Sequence, residues 1–462
     1  MNRPNHDLIT RHMKTIRLFF LVIAAAGPIF LQAQQNDTAS YSFTLQQSVD
    51  YALQHNTSVQ NATLDQVAAN NKVKEVIGIG LPQISSTFQV QDYLDIPTSL
   101  IPGEFFGGPP GSYIPVKFGT KYNASLGFSA SQIVFSGSWF LGVKASQIYQ
   151  DLAQKNVDRT RIETQADVTK AYYTVMVNQE KKLLIDANLA KLKKTKDDTK
   201  ALFDNGFVEK IDLDRITVAY NNLVTEADNI KRLLDLSLVL LKYQMGMDQS
   251  AKLSITGKIQ DLSFTPATLA SGKFDYNNRV EYQSMDLLLR GQKKLLQAER
   301  VGYFPTIALF GSLQAQAQRT KFDFFDTQQH WYPISVIGLQ VSIPIFDGLQ
   351  RHYRVQQSRV EVLKAENNLL MIQRTIDMQQ AVAKVNLQNS AASLESQKAN
   401  MELAQQVLDV AEKKYSAGTG TNLEIINAQT ALKEAQTNYF NALYDAIIAK
   451  VEYDKSMGVF TK

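Results

Sequence analysis

Tyr122-Asn123-Ala124-Ser125-Leu126-Gly127-Phe128-Ser129-Ala130-Ser131 alternates strictly. Tyr122, Ala124, Leu126, Phe128 and Ala130 fall on one side, Asn123, Ser125, Gly127, Ser129 and Ser131 on the other, and no charge interrupts either set. A period of two puts these sets on opposite faces of a strand. Three further spans read the same way. Ile84, Phe88 and Val90 oppose Ser85, Thr87, Gln89 and Gln91; Ile307, Leu309, Leu313, Ala315 and Ala317 oppose Ser312, Gln314, Gln316 and Gln318; Ile337, Leu339, Val341 and Ile343 oppose Gly338, Gln340 and Ser342. Strands with an uncharged apolar face and a Ser/Gln/Asn face suit a wall with hydrocarbon outside and water inside. Tyr93, Trp331 and Tyr332 stand at one end and Phe135, Trp139, Phe140, Tyr303, Phe304 and Phe346 at the other, as two interfacial girdles would. A soluble β-sandwich burying the apolar faces is the competing reading. Four strands are too few to close a barrel, for which about eight is the small end, and an open edge in lipid leaves backbone groups unsatisfied at several kcal/mol each. The chain must therefore associate to close a pore, with eight strands from two copies or twelve from three.

Outward from these strands the chain repeats itself. Gly78-Ile79-Gly80-Leu81-Pro82-Gln83-Ile84 matches Val301-Gly302-Tyr303-Phe304-Pro305-Thr306-Ile307 in pattern, and Val134-Phe135-Ser136-Gly137 matches Ile345-Phe346-Asp347-Gly348. Gly206 matches Gly418, and Met245-Gly246-Met247 matches Met457-Gly458-Val459. Such self-similarity predicts two tandem copies of one helix–strand–strand–helix–helix unit. The first spans 34–245, with strands at about 83–94 and 120–135; the second spans 276–462, with strands at about 306–318 and 331–346; 246–275 links them. The first copy is longer between its strands, where the Pro/Gly-rich stretch 95–119 reads as a long external loop.

After the strands, Val143 to Asp204 and Leu349 to Ala417 carry helix-compatible, Pro-free sequence. At ~1.5 Å per residue these helices would run on the order of 90 to 100 Å, longer than any globular domain. Leu387, Leu394, Met401, Leu408 and Tyr415 recur every seven residues, with small or polar Gln397, Ala404 and Ala411 between them, which suggests helices side by side in a curved wall. A structural coiled coil without a barrel is the competing reading of that pattern taken alone. Gly206 and Gly418 end the long helices as C′ glycines, and shorter helices, from Ile211 to about Tyr243 and from Leu423 to about Tyr453, run back. Thr44 to about Ile77 reads as one helix opened by a capping box from Thr44 to Gln47.

Composition narrows the function. The 462 residues are 44% hydrophobic with a net charge of +4, which excludes disordered and collagen-like classes and gives no sign of nucleic-acid binding. The absence of Cys removes disulfides, Cys-ligated zinc, iron–sulfur clusters and thiol nucleophiles. Arg11, Lys14 and Arg17 precede an uncharged, mostly apolar run from Leu18 to Leu31 and then Gln32-Ala33-Gln34, a pattern that predicts a secretory signal over 1–33, with Met13 as a natural start. Beyond it the histidines are His55, His330 and His352, scattered, with no HExxH, phosphate loop or GxSxG. No catalytic residue, metal or cofactor is expected, and a secreted hydrolase is disfavoured.

Taken together, the signal, the two copies and the glycine turns resemble the TolC-like outer-membrane efflux family. Tyr415-Ser416-Ala417-Gly418-Thr419-Gly420-Thr421-Asn422-Leu423-Glu424-Ile425-Ile426-Asn427-Ala428 looks like that family's second periplasmic turn, and Phe203-Asp204-Asn205-Gly206-Phe207-Val208-Glu209-Lys210-Ile211-Asp212-Leu213 like its first. The resemblance implies a mixed α and β membrane protein: a homotrimer whose twelve-stranded transmembrane barrel sits in outer-membrane lipid and continues as a long periplasmic α-helical barrel. It implies docking to a periplasmic adaptor (membrane fusion protein) and an inner-membrane pump of RND or ABC type, with 252–273 and the C-terminal tail resembling the belt around the tunnel's middle. A gate of an acid, a tyrosine and an arginine would fall on Asp212, Tyr415 and Gly420, so the arginine is missing and resting closure must be weaker or use other partners such as Lys210. Two acidic rings would fall on Glu424 and Asn427, one kept and one neutral.

Overall fold

The computed structural model describes residues 40–257 and 274–461, so the signal expected over 1–33 and the larger part of the segment 246–275 lie outside the described residues. Among the described residues, Ser42–Gln249 and those from Leu253 onward form one unit, and Ser40, Tyr41 and 250–252 belong to a second.

After β1 (Ser40–Phe43), α1 (Leu45–His55) opens on the expected capping box. Gln47 N–H donates to Thr44 Oγ1 at 3.3 Å and Thr44 N–H to Gln47 Oε1 at 2.9 Å. The single helix expected to run to Ile77 is in fact two, α1 and α2 (Thr57–Gly78), broken at Asn56. Asn56 is extended, accepts from Ser58 N–H at 2.8 Å, and donates from Nδ2 to Gln244 O at 2.8 Å. An Asn side chain that satisfies the next helix's free N–H groups competes with helix continuation.

Four long strands, β2 (Gln83–Asp92), β5 (Tyr122–Phe135), β7 (Thr306–Arg319) and β8 (Tyr332–Ser342), form one antiparallel sheet in the order β2-β5-β7-β8; a short β6 (Lys252–Ile255) falls between β5 and β7 in the chain and is not part of it. Register aligns the polar residues in rows: Gln91 with Asn123 and Gln318, Gln89 with Ser125 and Gln316, Ser85 with Ser129 and Ser312. The Ser85 and Ser129 hydroxyls hydrogen-bond at 2.7 Å. On the opposite face Phe88, Leu126 and Ala315 line up, as do Leu309 with Leu339 and Ile307 with Val341. That apolar face is bare: Phe88 is 59% exposed, Leu313 58% and Ile337 81%. No second sheet covers it among the described residues, which removes the sandwich reading. Only toward the loop end is it covered, where Phe324, Tyr122 and Trp331 close over Ala124 and Ala317. Phe310 departs from the pattern by lying on the polar face over Gly338, where a Cβ would come within 2.6 Å of the ring.

Two strand boundaries differ from expectation. β8 ends at Ser342 instead of about 346. The stretch 95–119 is not a featureless loop, for it contains an antiparallel hairpin of β3 (Thr98–Pro102) and β4 (Tyr113–Lys117). Pro102 and Pro115 argue against strands only where both edges are paired; in a two-stranded ribbon half the N–H groups need no partner.

The helices are as long as their sequence suggests. α3 (Gly137–Asp204) has 68 residues and α6 (Gln350–Ser416) has 67, about 100 Å each at ~1.5 Å per residue. α4 (Lys210–Met245) packs back on α3, and α7 (Asn422–Ser456) on α6 and α3, while α5 (Val280–Val301) precedes β7 and lies against α3 and α6. The heptad positions mark the α6–α7 seam. Leu387 is buried with Ala383, Ala449 and Tyr453, and Leu408 with Ala411, Ile425, Ala428 and Leu432. At the start of α3 the Trp139 ring lies on Gly80, where a Cβ would be 2.2 Å from it, and Nε1 donates to Val76 O at 2.9 Å. Phe140, Tyr303, Phe304 and Phe346 nearby are exposed.

Candidate functional site: the helix-turn end

Both long helices stop on a left-handed glycine. Gly206 has φ +79°, with its N–H donating to Phe203 O (2.9 Å) and that of Phe207 to Leu202 O (2.9 Å). Gly418 has φ +72°, with Gly418 N–H donating to Tyr415 O (3.0 Å) and Thr419 N–H to Lys414 O (3.0 Å). These are paired bonds that satisfy orphan carbonyls at a helix end, and they need a residue free of the Cβ penalty. Gly420 is constrained differently. Its N–H donates to Lys414 O at 3.0 Å, and a Cβ there would lie 2.9 Å from both Tyr415 N and Lys414 Cβ. The second turn folds back so tightly on its own helix that an arginine at 420 would require the backbone to move.

The structure does not join Asp212 to Tyr415 within the protomer. Tyr415 points into the α6–α7 seam against Leu408, Ala411, Ile425, Ala428 and Leu432, and its buried hydroxyl has no hydrogen-bond partner. The Asp212 carboxylate instead stands 3.8 Å from Arg215, one turn on along α4. Glu424 and Asn427 are both exposed, three residues apart and thus on one face of α7. Thr421 caps that helix, accepting from Glu424 N–H at 3.3 Å, and Glu424 places negative charge in its first turn.

Contacts that the sequence did not disclose tie α3 and α4 to α6 and α7. Asn422 Nδ2 donates to the Asp212 carbonyl at 2.8 Å, joining the starts of α7 and α4. Lys191 on α3 reaches Glu412 at 2.7 Å and Asp409 at 3.4 Å on α6, and Asn188 Nδ2 donates to Gln436 Oε1 on α7 at 3.0 Å. Burial pulls the Lys191 ammonium down, but Glu412 and Asp409 outweigh it and hold it above its ordinary value. These partners lie more than two hundred residues apart in sequence, so no local spacing could have revealed them. Between the helix pairs runs a groove of about 610 Å³ whose walls include Leu192, Arg215, Val218, Ile426, Gln429 and Lys433. Its lining mixes apolar side chains with amides, cations and the Asp214 carboxylate.

The unpartnered Tyr415 hydroxyl makes a prediction. Tyr415→Phe removes a buried polar group that gains nothing in the protomer, so the melting temperature should hold or rise slightly, with up to about 1 kcal/mol of stabilisation. A lowered melting temperature in detergent would show that the hydroxyl has a partner in the assembled protein.

Comparison with known proteins places this architecture. The family model for outer membrane efflux proteins matches residues 277–459. The probable efflux pump outer membrane protein TtgC of Pseudomonas putida is 23% identical over 347 residues, covering 73% of this chain and 69% of that protein. The outer membrane protein TolC of Salmonella enteritidis is 22% identical over 347 residues, covering 73% and 70%. Among solved structures, the outer membrane protein VceC of Vibrio cholerae superposes with a TM-score of 0.67 at 16% identity, over 90% of this chain and 96% of that one. Its likeness extends to the fold as a whole, strands and long helices together.

Proposed function

We propose, from the premise that this chain is a TolC-like outer-membrane efflux protein seated in the outer membrane, that it is the passive exit duct of a tripartite efflux or type I secretion system. Its relatives are channels, not enzymes. The observation that carries the reading is a four-stranded sheet whose edge strands, β2 and β8, have no further strand beside them among the described residues, and whose apolar face is bare except toward the loop end. Such edges are tolerable in hydrocarbon only if other copies pair with them. Three copies give twelve strands around one pore, and the long helices of both tandem units continue that wall as a tunnel through the periplasm. There the helix turns meet a membrane fusion protein and an RND or ABC pump, which selects the cargo. A homotrimer by light scattering of the detergent-extracted protein, and discrete conductance steps in planar bilayers, are the expected results. A monomer that stays soluble without detergent would overturn the reading.

Gating belongs at the turns. With Gly420 in the arginine position, no charge-assisted bond can close the tip there. Closure in the resting state instead rests on the ties that Asn422 and Lys191 make between the helix pairs. Three copies of Glu424 form an acidic ring, while the neighbouring ring of Asn427 is neutral. Charged rings set ion selectivity in pores. Glu424→Gln should therefore reduce cation selectivity, read as a smaller reversal potential under a salt gradient; an unchanged value would refute the ring.

A further inference from the structure

At the sheet's loop end, farthest from the helices, the base of the 95–119 hairpin folds over the polar face. The β2–β5 ladder continues one step past the sheet, with Tyr93 N–H donating to Lys121 O at 2.7 Å. The chain then turns inward at both hairpin legs. Gly119 takes φ +125°, where a Cβ would meet Ile96 Cγ2 at 3.8 Å, so the two legs close on each other. Thr120 is fastened down onto the sheet: its hydroxyl donates to Asn123 Oδ1 at 2.9 Å, and Asn123 Nδ2 donates to Thr120 O at 3.3 Å. The result is a recess of about 400 Å³, with Ile96, Pro97 and Phe118 as its roof and Gln89, Asn123 and Gln316 among the residues of its floor. No Asp, Glu, Lys, Arg or His side chain lines it. The floor is the same Ser/Gln/Asn face that looks into the water column if the protein is an exit duct, and the inference rests on that reading.

We propose that this overhang is a second restriction on the exit path, an outer mouth that sorts solutes by size and hydrogen bonding and does not read their charge. Pore width and the donors and acceptors on the wall are what select a solute where no charged ring is present. Amide side chains offer both donors and acceptors to neutral polar groups. The twelve-residue excess of the first copy over the second lies in the segment that forms the roof, so each protomer carries one overhang, on one of its two strand pairs. Passage is thus controlled in series: by charge at Glu424 and by bulk at the hairpin.

The chain contains no cysteine, so Gln316→Cys gives a single-thiol protein whose labelling from outside intact cells reports on the roof. A small thiol reagent should react readily and a bulky membrane-impermeant one several-fold more slowly. Replacing 95–119, and with it the roof residues Ile96, Pro97 and Phe118, with a short Gly-Ser turn should bring the two rates together and raise single-channel conductance. Independently, Gln316→Glu should shift the reversal potential toward cations in the full chain and far less in the trimmed one, because a charge at a wide mouth is screened within about 10 Å at 0.1 M salt. Equal labelling by both reagents in the full chain, or a Gln316→Glu variant with an unchanged reversal potential, overturns the outer restriction. Wild-type protein without any conductance removes the exit-duct reading itself, and the restriction with it.

Discussion

Arg279→Ala will cost the protein on the order of 3 to 5 kcal/mol, the range for breaking a buried ion pair by deleting one partner. Arg279 is only 5% exposed, at the start of α5. Its Nε donates to Glu281 Oε2 at 3.0 Å and its Nη2 to Glu281 Oε1 at 3.1 Å, a bidentate pair. The same guanidinium reaches the Ser456 carbonyl at the end of α7 (3.0 Å) and Gln379 Oε1 midway along α6 (2.9 Å). One side chain therefore joins three helices, and truncation leaves Glu281, a carbonyl and an amide without their donor. Glu281 adds a pH signature. Burial raises its carboxyl, but the hydrogen bonds and charge of Arg279 outweigh that and hold it below its ordinary value. A depressed folded-state value stabilises the protein above the unfolded carboxylate range, and that contribution fades as pH falls through the folded value. In the variant burial is opposed only by the smaller effects of a backbone hydrogen bond and the Lys455 charge, so the gap in melting temperature between wild type and Arg279→Ala should narrow on acidification. Thermal unfolding in detergent between neutral and acid pH measures both effects, and a wild-type-like melting temperature at neutral pH would refute the clamp.

Gly246→Ala and Gly458→Ala should each destabilise by roughly 2 to 3 kcal/mol, toward the upper end of the ~1–3 kcal/mol for a residue held in a disfavoured backbone region. Gly246 closes α4 at φ +68°, and a Cβ there would sit 2.5 Å from His55 O and 2.9 Å from Asn56 Cα. Gly458, beyond α7 at φ +76°, would place its Cβ 2.5 Å from Asn278 O. Both positions combine left-handed backbone with a neighbouring main chain that cannot yield as a flexible side chain would. Gly206→Ala is the control. Its φ of +79° is equally left-handed, but nothing lies within 4 Å of its Cβ, so only the backbone penalty of about 1 kcal/mol applies. Equal losses at 206 and 246 would show that the close approach contributes nothing. The matching Met-Gly pairs at 245–246 and 457–458 are visible in sequence; that each glycine docks on the chain just before a helix, at Asn56 and at Asn278, is not.

Much of the architecture follows from local periodicity. The alternation through Tyr122–Ser131 and its three counterparts specified strands and both of their faces, because one pleat reverses a side chain's direction regardless of what lies across the sheet. Pro-free heptads specified helices of about 100 Å, and Gly206 and Gly418 specified where they stop, because few residues tolerate positive φ. Properties set by partners distant in sequence were decided only in three dimensions. The break at Asn56 depends on Gln244, the recess on the inward turn at Gly119, the clamp on Ser456 and Gln379, and the direction of Tyr415 on the seam it fills. A glycine where the family resemblance calls for arginine was legible at 420, but its reason, a turn too tight for any Cβ, was not. Backbone preference acts within a few residues and leaves its mark in sequence order; packing acts between surfaces that meet only after the chain has folded.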